Sequence, residues 1–171
     1  MTKTYIRGSE WRKWDLHIHT PASIEQKYGA DKWEEFITSL ESLPSEVKVI
    51  GITDYYFIDG FERVMEYKSQ GRLNNLDKIF PILEFRIDTF GSSSENTLNK
   101  INLHILFDIN DSKYKDEVKL IKDHFISQIH LTGFDKHKTT ILSKENLIKE
   151  GENDLKKGFE GLIPQQKKFS L

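Results

Sequence analysis

The chain has 171 residues, a formal net charge of -2, 37% hydrophobic and 30% charged residues, and no cysteine. That length suits one domain with a real core, and 12% aromatic residues argue against disorder. The missing cysteines exclude a disulfide framework, a thiolate nucleophile and a Cys-type zinc site, so His, Asp, Glu or water must hold any metal. The near-neutral charge supplies no general basic surface for nucleic acid. No apolar run is long enough for a bilayer, and the opening "MTKTYIRGSEWRKW" has no apolar signal core. The expectation is a cytoplasmic protein with no membrane partner.

In chain order, "WDLHIHT" (14–20) alternates with a two-residue period and predicts a strand. Asp15, His17 and His19 then share one face, with Leu16 and Ile18 on the other. "DKWEEFITSLESL" predicts a helix with Trp33, Phe36, Ile37 and Leu40 on its apolar side, Asp31 as N-cap and Pro44 beyond its end. "VKVIGITD" (47–54) is β-branched and nearly continuously apolar, as in a buried parallel strand. "DGFERVMEYKSQG" predicts a helix stopped by Gly71. In "KIFPILEFRID", Pro81 is expected at the strand start, with 82–88 carrying the pairing.

"GSSSENT" reads as a loop and "KINLHILFD" (100–108) as a fourth strand. "DSKYKDEVKLIKDHFISQI" predicts a helix with a stripe of Val118, Ile121, Phe125 and Ile129, capped by Asp111 or Ser112. Its runs of charge read as a solvated face, as does His124 off the stripe. "LSKENLIKEG" predicts a short helix capped by Ser143, and 158–171 reads as a strand followed by a helix start. The order β-α-β-α-β-β-α-α favours an α/β fold with a mostly parallel sheet or barrel. The last residues look like the opening of an element, which suggests the N-terminal piece of something longer.

Ligands of α/β folds bind at the carboxyl ends of the strands. Ionisable residues fall there on each predicted strand: Asp15, His17 and His19; Asp54; Glu84, Arg86 and Asp88; and His104 with Asp108 further on. Such donors gathered from separate strands can form a preorganised metal cluster. Simpler readings stand beside this one. Asp54 could be a turn or capping residue, Arg86 an ion-pair partner of Glu84 or Asp88, and His130 a helix-terminal residue favoured by the dipole.

The ordered stretches "DLHIHT", "GITDYYFIDGF", "PILEFR" and "NLHILF" resemble the PHP (polymerase and histidinol phosphatase) domain family. The opening "RGSEWRKWDLHIHTPAS" is similar to PHP domains that precede a P-loop, SMC-like ATPase region in larger bacterial proteins. The resemblance implies one domain over 1–171 folded as a distorted (β/α)7 barrel, incomplete at its C-terminal end. It also implies a cluster of divalent metals that hydrolyses phosphoesters. His17 and His19 match the first-motif ligands, Glu84 the carboxylate bridging two metals, His104 the ligand on the next strand, and Asp54 the Asp of a "TDH" motif. Asp54 would hold a ligand imidazole in its tautomer or assist proton transfer, and Arg86 would clamp a phosphate.

Two departures qualify that picture. Tyr55 replaces the His that commonly serves a third metal, which favours two ions of zinc, manganese or iron. No D-x-H follows His104, and His130 and His137 are the later histidines that could stand in for a missing ligand. The partners the resemblance implies are a phosphorylated substrate, nucleic acid among the candidates, and an ATPase region outside this chain; no Walker A motif occurs here, so this chain is not expected to bind ATP by that route. A catalytically degenerate PHP module that binds or regulates is the alternative.

Overall fold

The computed structural model describes residues 11–23, 28–91, 99–132 and 139–161. The fold is mixed α/β. Two compact units divide the chain, Met1–Val118 and Lys119–Leu171. The first unit carries a four-stranded sheet in the order β1 (Lys13–Ile18), β2 (Val47–Tyr55), β3 (Lys78–Gly91) and β4 (Asn99–Leu106). The first three strands run parallel and β4 runs antiparallel to β3. Two helices supply the crossovers between the parallel strands, α1 (Trp33–Glu41) and α2 (Asp59–Ser69). This is the order expected for those elements, and it is compatible with part of an α/β barrel.

The helices form where the apolar spacing places them. Trp33, Phe36, Ile37 and Leu40 of α1 are all buried, as are Phe61, Val64 and Met65 of α2. They share the unit's core with Ile50, Ile52, Ile79 and Leu83 of the central strands. Leu16 of β1 packs on Val49, Phe80 and Ile82. Gly51 lies opposite it, where a Cβ would run into the Ile82 side chain and the Leu16 backbone. Gly71 ends the α2 region with φ +87, a conformation that favours glycine.

Several expected details are corrected. Asp31 does not cap α1: the capping position is Lys32, with no side-chain bond to the helix. Neither Asp111 nor Ser112 caps the next helical region. Asn110 does, its side chain accepting from Ser112 N at 2.9 Å, because a 3-10 turn at Asp111–Lys113 precedes α3 (Tyr114–His124). Pro81 lies inside β3, not at its start, paired with Ile52. Its carbonyl accepts from Phe107 N at 3.1 Å, so the side of the residue that lacks an N–H faces the end of β4. The β3–β4 ladder stops at Ile82–Leu106, and the proline therefore interrupts no bond within it.

In the second unit, the long predicted helix ends at His124, and a second 3-10 turn covers Ile126–Gln128. A short antiparallel pair then joins β5 (His130–Thr132) to β6 (Thr139–Ile141), where periodicity predicts no strand. His130 accordingly opens a strand and does not close a helix. Ser143 caps α4 (Lys144–Gly161) as expected, its Oγ accepting from Asn146 N at 3.1 Å. Residues 158–161 continue that helix and do not start a strand. The loop residues 92–97, His137 and residues 162–171 lie outside the described residues. Among the described residues, no helix is long and apolar enough to cross a membrane.

Candidate metal centre

The parallel ladder pairs Tyr55 with Glu84, and the antiparallel ladder pairs Glu84 with His104 and Arg86 with Asn102. Alternation then places Glu84, Arg86, Asn102 and His104 on one face of the sheet. At β1 the register with β2 is irregular between Asp15 and Ile18, and the chain delivers His17 and His19 onto Glu84. Their Nε2 atoms are 3.1 Å apart, and Glu84 Oε2 lies 3.7 Å from that of His17 and 3.6 Å from that of His19. These three residues form a group that could hold a metal ion.

The spacing can be tested against coordination chemistry. Tetrahedral ligands ~2.0–2.1 Å from one zinc-sized ion stand about 3.4 Å from each other. The observed edges of 3.1, 3.6 and 3.7 Å bracket that value. The burial pattern points the same way. Glu84 is fully buried, and its Oε2 has no hydrogen-bond partner among the described residues. A buried carboxylate oxygen left bare is costly unless something positive meets it. The other oxygen, Oε1, accepts from Asn102 Nδ2 at 2.6 Å and lies 3.5 Å from His104 Nε2. His104 thus joins the site at the opposite oxygen from His17 and His19, and its ring is 4.9 Å from that of His17.

The His-x-His arm is fastened from beneath. Thr20, fully buried, donates its N–H to Asp54 Oδ1 at 2.8 Å and its hydroxyl to Asp54 Oδ2 at 2.6 Å. Burial holds the Asp54 carboxyl above the usual carboxylate range, and the two bonds from Thr20 pull it back. Gly60 closes over this pair: a Cβ there would run into both Asp54 Oδ2 and Thr20 Oγ1. Thr20 in turn ties the next residues, its carbonyl accepting from Ser23 N at 3.0 Å. Ser23 Oγ sits 3.2 Å from His19 Nδ1, which leaves Nε2 of that ring facing Glu84. Asp54 therefore acts on Thr20, the neighbour of His19. Among the described residues, no imidazole hydrogen-bonds to it.

Two other expected residues sit at the edge. Asp15 turns back on its own strand, its carboxylate accepting from His17 N at 3.2 Å, and stays exposed. It does not join the donors. Arg86 is exposed, donating to Tyr55 OH at 3.4 Å and to Asn102 Oδ1 at 3.5 Å. Tyr55 itself stacks on His19, with ring centres 5.4 Å apart and planes 15° off parallel. The next residue, Tyr56, has φ 65, uncommon for a bulky side chain, and its N–H reaches the Glu84 carbonyl at 3.2 Å.

Asn102, Thr20 and Ser23 are the participants that sequence reasoning assigned no role. Each carried a signal in hindsight. Asn102 lies two residues before His104 and shares its face, while Thr20 and Ser23 follow the His-x-His pair directly. Comparison with protein-family models, with curated proteins and with solved structures returns no match for this chain.

Proposed function

We propose that this chain carries the metal centre of a phosphoesterase of the PHP kind, working with an ATPase region outside the chain. The observation that carries the reading is the bare, fully buried Oε2 of Glu84 facing the Nε2 atoms of His17 and His19. Imidazole and carboxylate donors suit zinc, manganese or iron, and Glu84 with His104 offers a second position. Divalent cations supply the charge that acidifies water near neutral pH and offsets the phosphoryl oxygens. The chain's own residues do the rest. Thr20 and Asp54 hold the His-x-His arm, Ser23 orients His19, and the exposed guanidinium of Arg86 offers a fork for a phosphate oxygen. Nucleic acid is one phosphodiester substrate to test, and the overall charge of -2 adds no electrostatic argument for it.

Elemental analysis of the purified protein, with hydrolysis assays on an aryl phosphodiester, an aryl phosphomonoester and nucleic acid, tests this. The expected result is bound divalent metal and turnover that His17→Ala and Glu84→Ala both abolish. No metal, or turnover untouched by both variants, overturns it. Tyr55 favours a second reading, a degenerate module, because its ring stacks on His19 where the resembling family has a further metal-serving His. Metal uptake with no turnover on any of the three substrates selects that reading.

A further inference from the structure

The two oxygens of Glu84 meet different fates, and one side chain separates them. Asn102 Nδ2 donates to Oε1 at 2.6 Å, short for an N–H···O bond. The orientation of that amide is set from its other end. Arg86 Nε points at Asn102 Oδ1 from 3.5 Å, and a guanidinium has only donors, so the amide oxygen faces Arg86 and the NH2 faces Glu84. Arg86 is itself steadied by Tyr55, through the hydroxyl at 3.4 Å and the ring face 5.9 Å from Cζ. Oε2, by contrast, has no hydrogen bond among the described residues.

We propose that Asn102 is a positioning residue that makes the centre load in two unequal steps. The first ion takes His17, His19 and Glu84 Oε2. A second, at Glu84 Oε1 and His104, binds only as Asn102 yields that oxygen. This rests on the metal-centre reading above and deepens it. Two physical terms separate the steps. The first position has three donors facing one another, whereas the second has two among the described residues. An ion at Oε1 also competes with the amide for the same oxygen and meets the positive end of the NH2 dipole. Glu84 is therefore poised to hold one ion permanently and to admit the other on demand, rather than to bridge an equal pair.

The test is a metal titration of the metal-free full chain with Zn2+ and with Mn2+, with stoichiometry checked by elemental analysis. Asn102 is exposed, so Asn102→Ala opens no core cavity. Wild type should bind one ion at least about 10-fold more tightly than the second, the scale on which outer partners of a ligand act. Asn102→Ala should strengthen the second step about 3-fold or more and move the first less than about 2-fold. Arg86→Ala, which frees the amide to turn, should shift the second step in the same direction by less. Equal affinities in wild type overturn the inference and leave the metal-centre reading standing. So does an Asn102→Ala protein whose two steps keep their wild-type ratio. A wild-type chain that binds no ion at all overturns both.

Discussion

Two glutamates in the first unit make opposite use of their carboxylates. Glu41, at the end of α1, is part-exposed and fully engaged. Its Oε1 accepts from Arg72 Nε at 2.8 Å and Leu73 N at 3.0 Å, and its Oε2 accepts from Arg72 Nη2 at 2.7 Å. The Arg72 bonds, helped by the Leu73 N–H, hold its carboxyl down at about 2. The same bonds anchor Leu73, a buried residue at φ 58. Glu84 is more deeply buried and has fewer hydrogen bonds: one, from the Asn102 amide, on one oxygen, and none on the other among the described residues. The more a carboxylate is buried, the more it needs partners, and the shortfall falls where the histidines converge. Glu41 is arranged for the fold, whereas Glu84 keeps a buried oxygen without a hydrogen bond where two imidazoles converge.

That contrast can be broken most sharply at Glu84. Glu84→Gln keeps the shape and the Asn102 contact but removes the charge. Metal affinity should fall about 100-fold or more, while the thermal midpoint of the metal-free protein does not drop. Calorimetric titration and a melting curve read the two halves separately, and a large loss of stability with metal binding retained would make Glu84 structural after all. The next largest effect belongs to the lock beneath the His-x-His arm. Gly60→Ala forces a methyl into Asp54 and Thr20, and chemical denaturation should show a loss of about 2 kcal/mol. Metal affinity should fall with it, since His19 loses its footing.

Glu41→Gln should show the reverse profile to Glu84→Gln. Stability falls by about 1 kcal/mol, the range for a part-exposed ion pair, and metal affinity stays as it was. The smallest effect is on pH dependence. The folded state holds the Glu41 carboxyl at about 2, below its ordinary value of 4.5, so its contribution is complete above about 4.5 and lost as pH falls toward 2. In Glu41→Gln that part of the acid limb should flatten. Denaturation midpoints measured at several pH values between those limits check it, and an unchanged acid limb would place the pH sensitivity elsewhere.

Much of this architecture was legible in one dimension. The β-branched run at 47–54 and the apolar stripe of Trp33, Phe36, Ile37 and Leu40 became β2 and α1 because burial follows period, and period survives in sequence. The antiparallel pair at His130–Thr132 and Thr139–Ile141 was not legible, since strands of three residues are too short to show alternation. Pro81 misled for a related reason. Whether a proline interrupts a ladder depends on which neighbour its missing N–H faces, and that is a property of the sheet.

The site divides along the same line. Sequence by itself put His17, Glu84 and His104 on strands, and without cysteine such residues must supply any metal donors; His19, expected on the first strand, follows its last residue, Ile18. Tertiary structure alone decided that Asp15 turns away, that Asp54 grips Thr20 rather than a histidine, and that Asn102 takes one Glu84 oxygen and leaves the other bare. Periodicity assigns a side chain to a face. Which lone pair remains free on that face is set by cross-strand register and by hydrogen bonds between residues as far apart in the chain as Thr20 and Asp54.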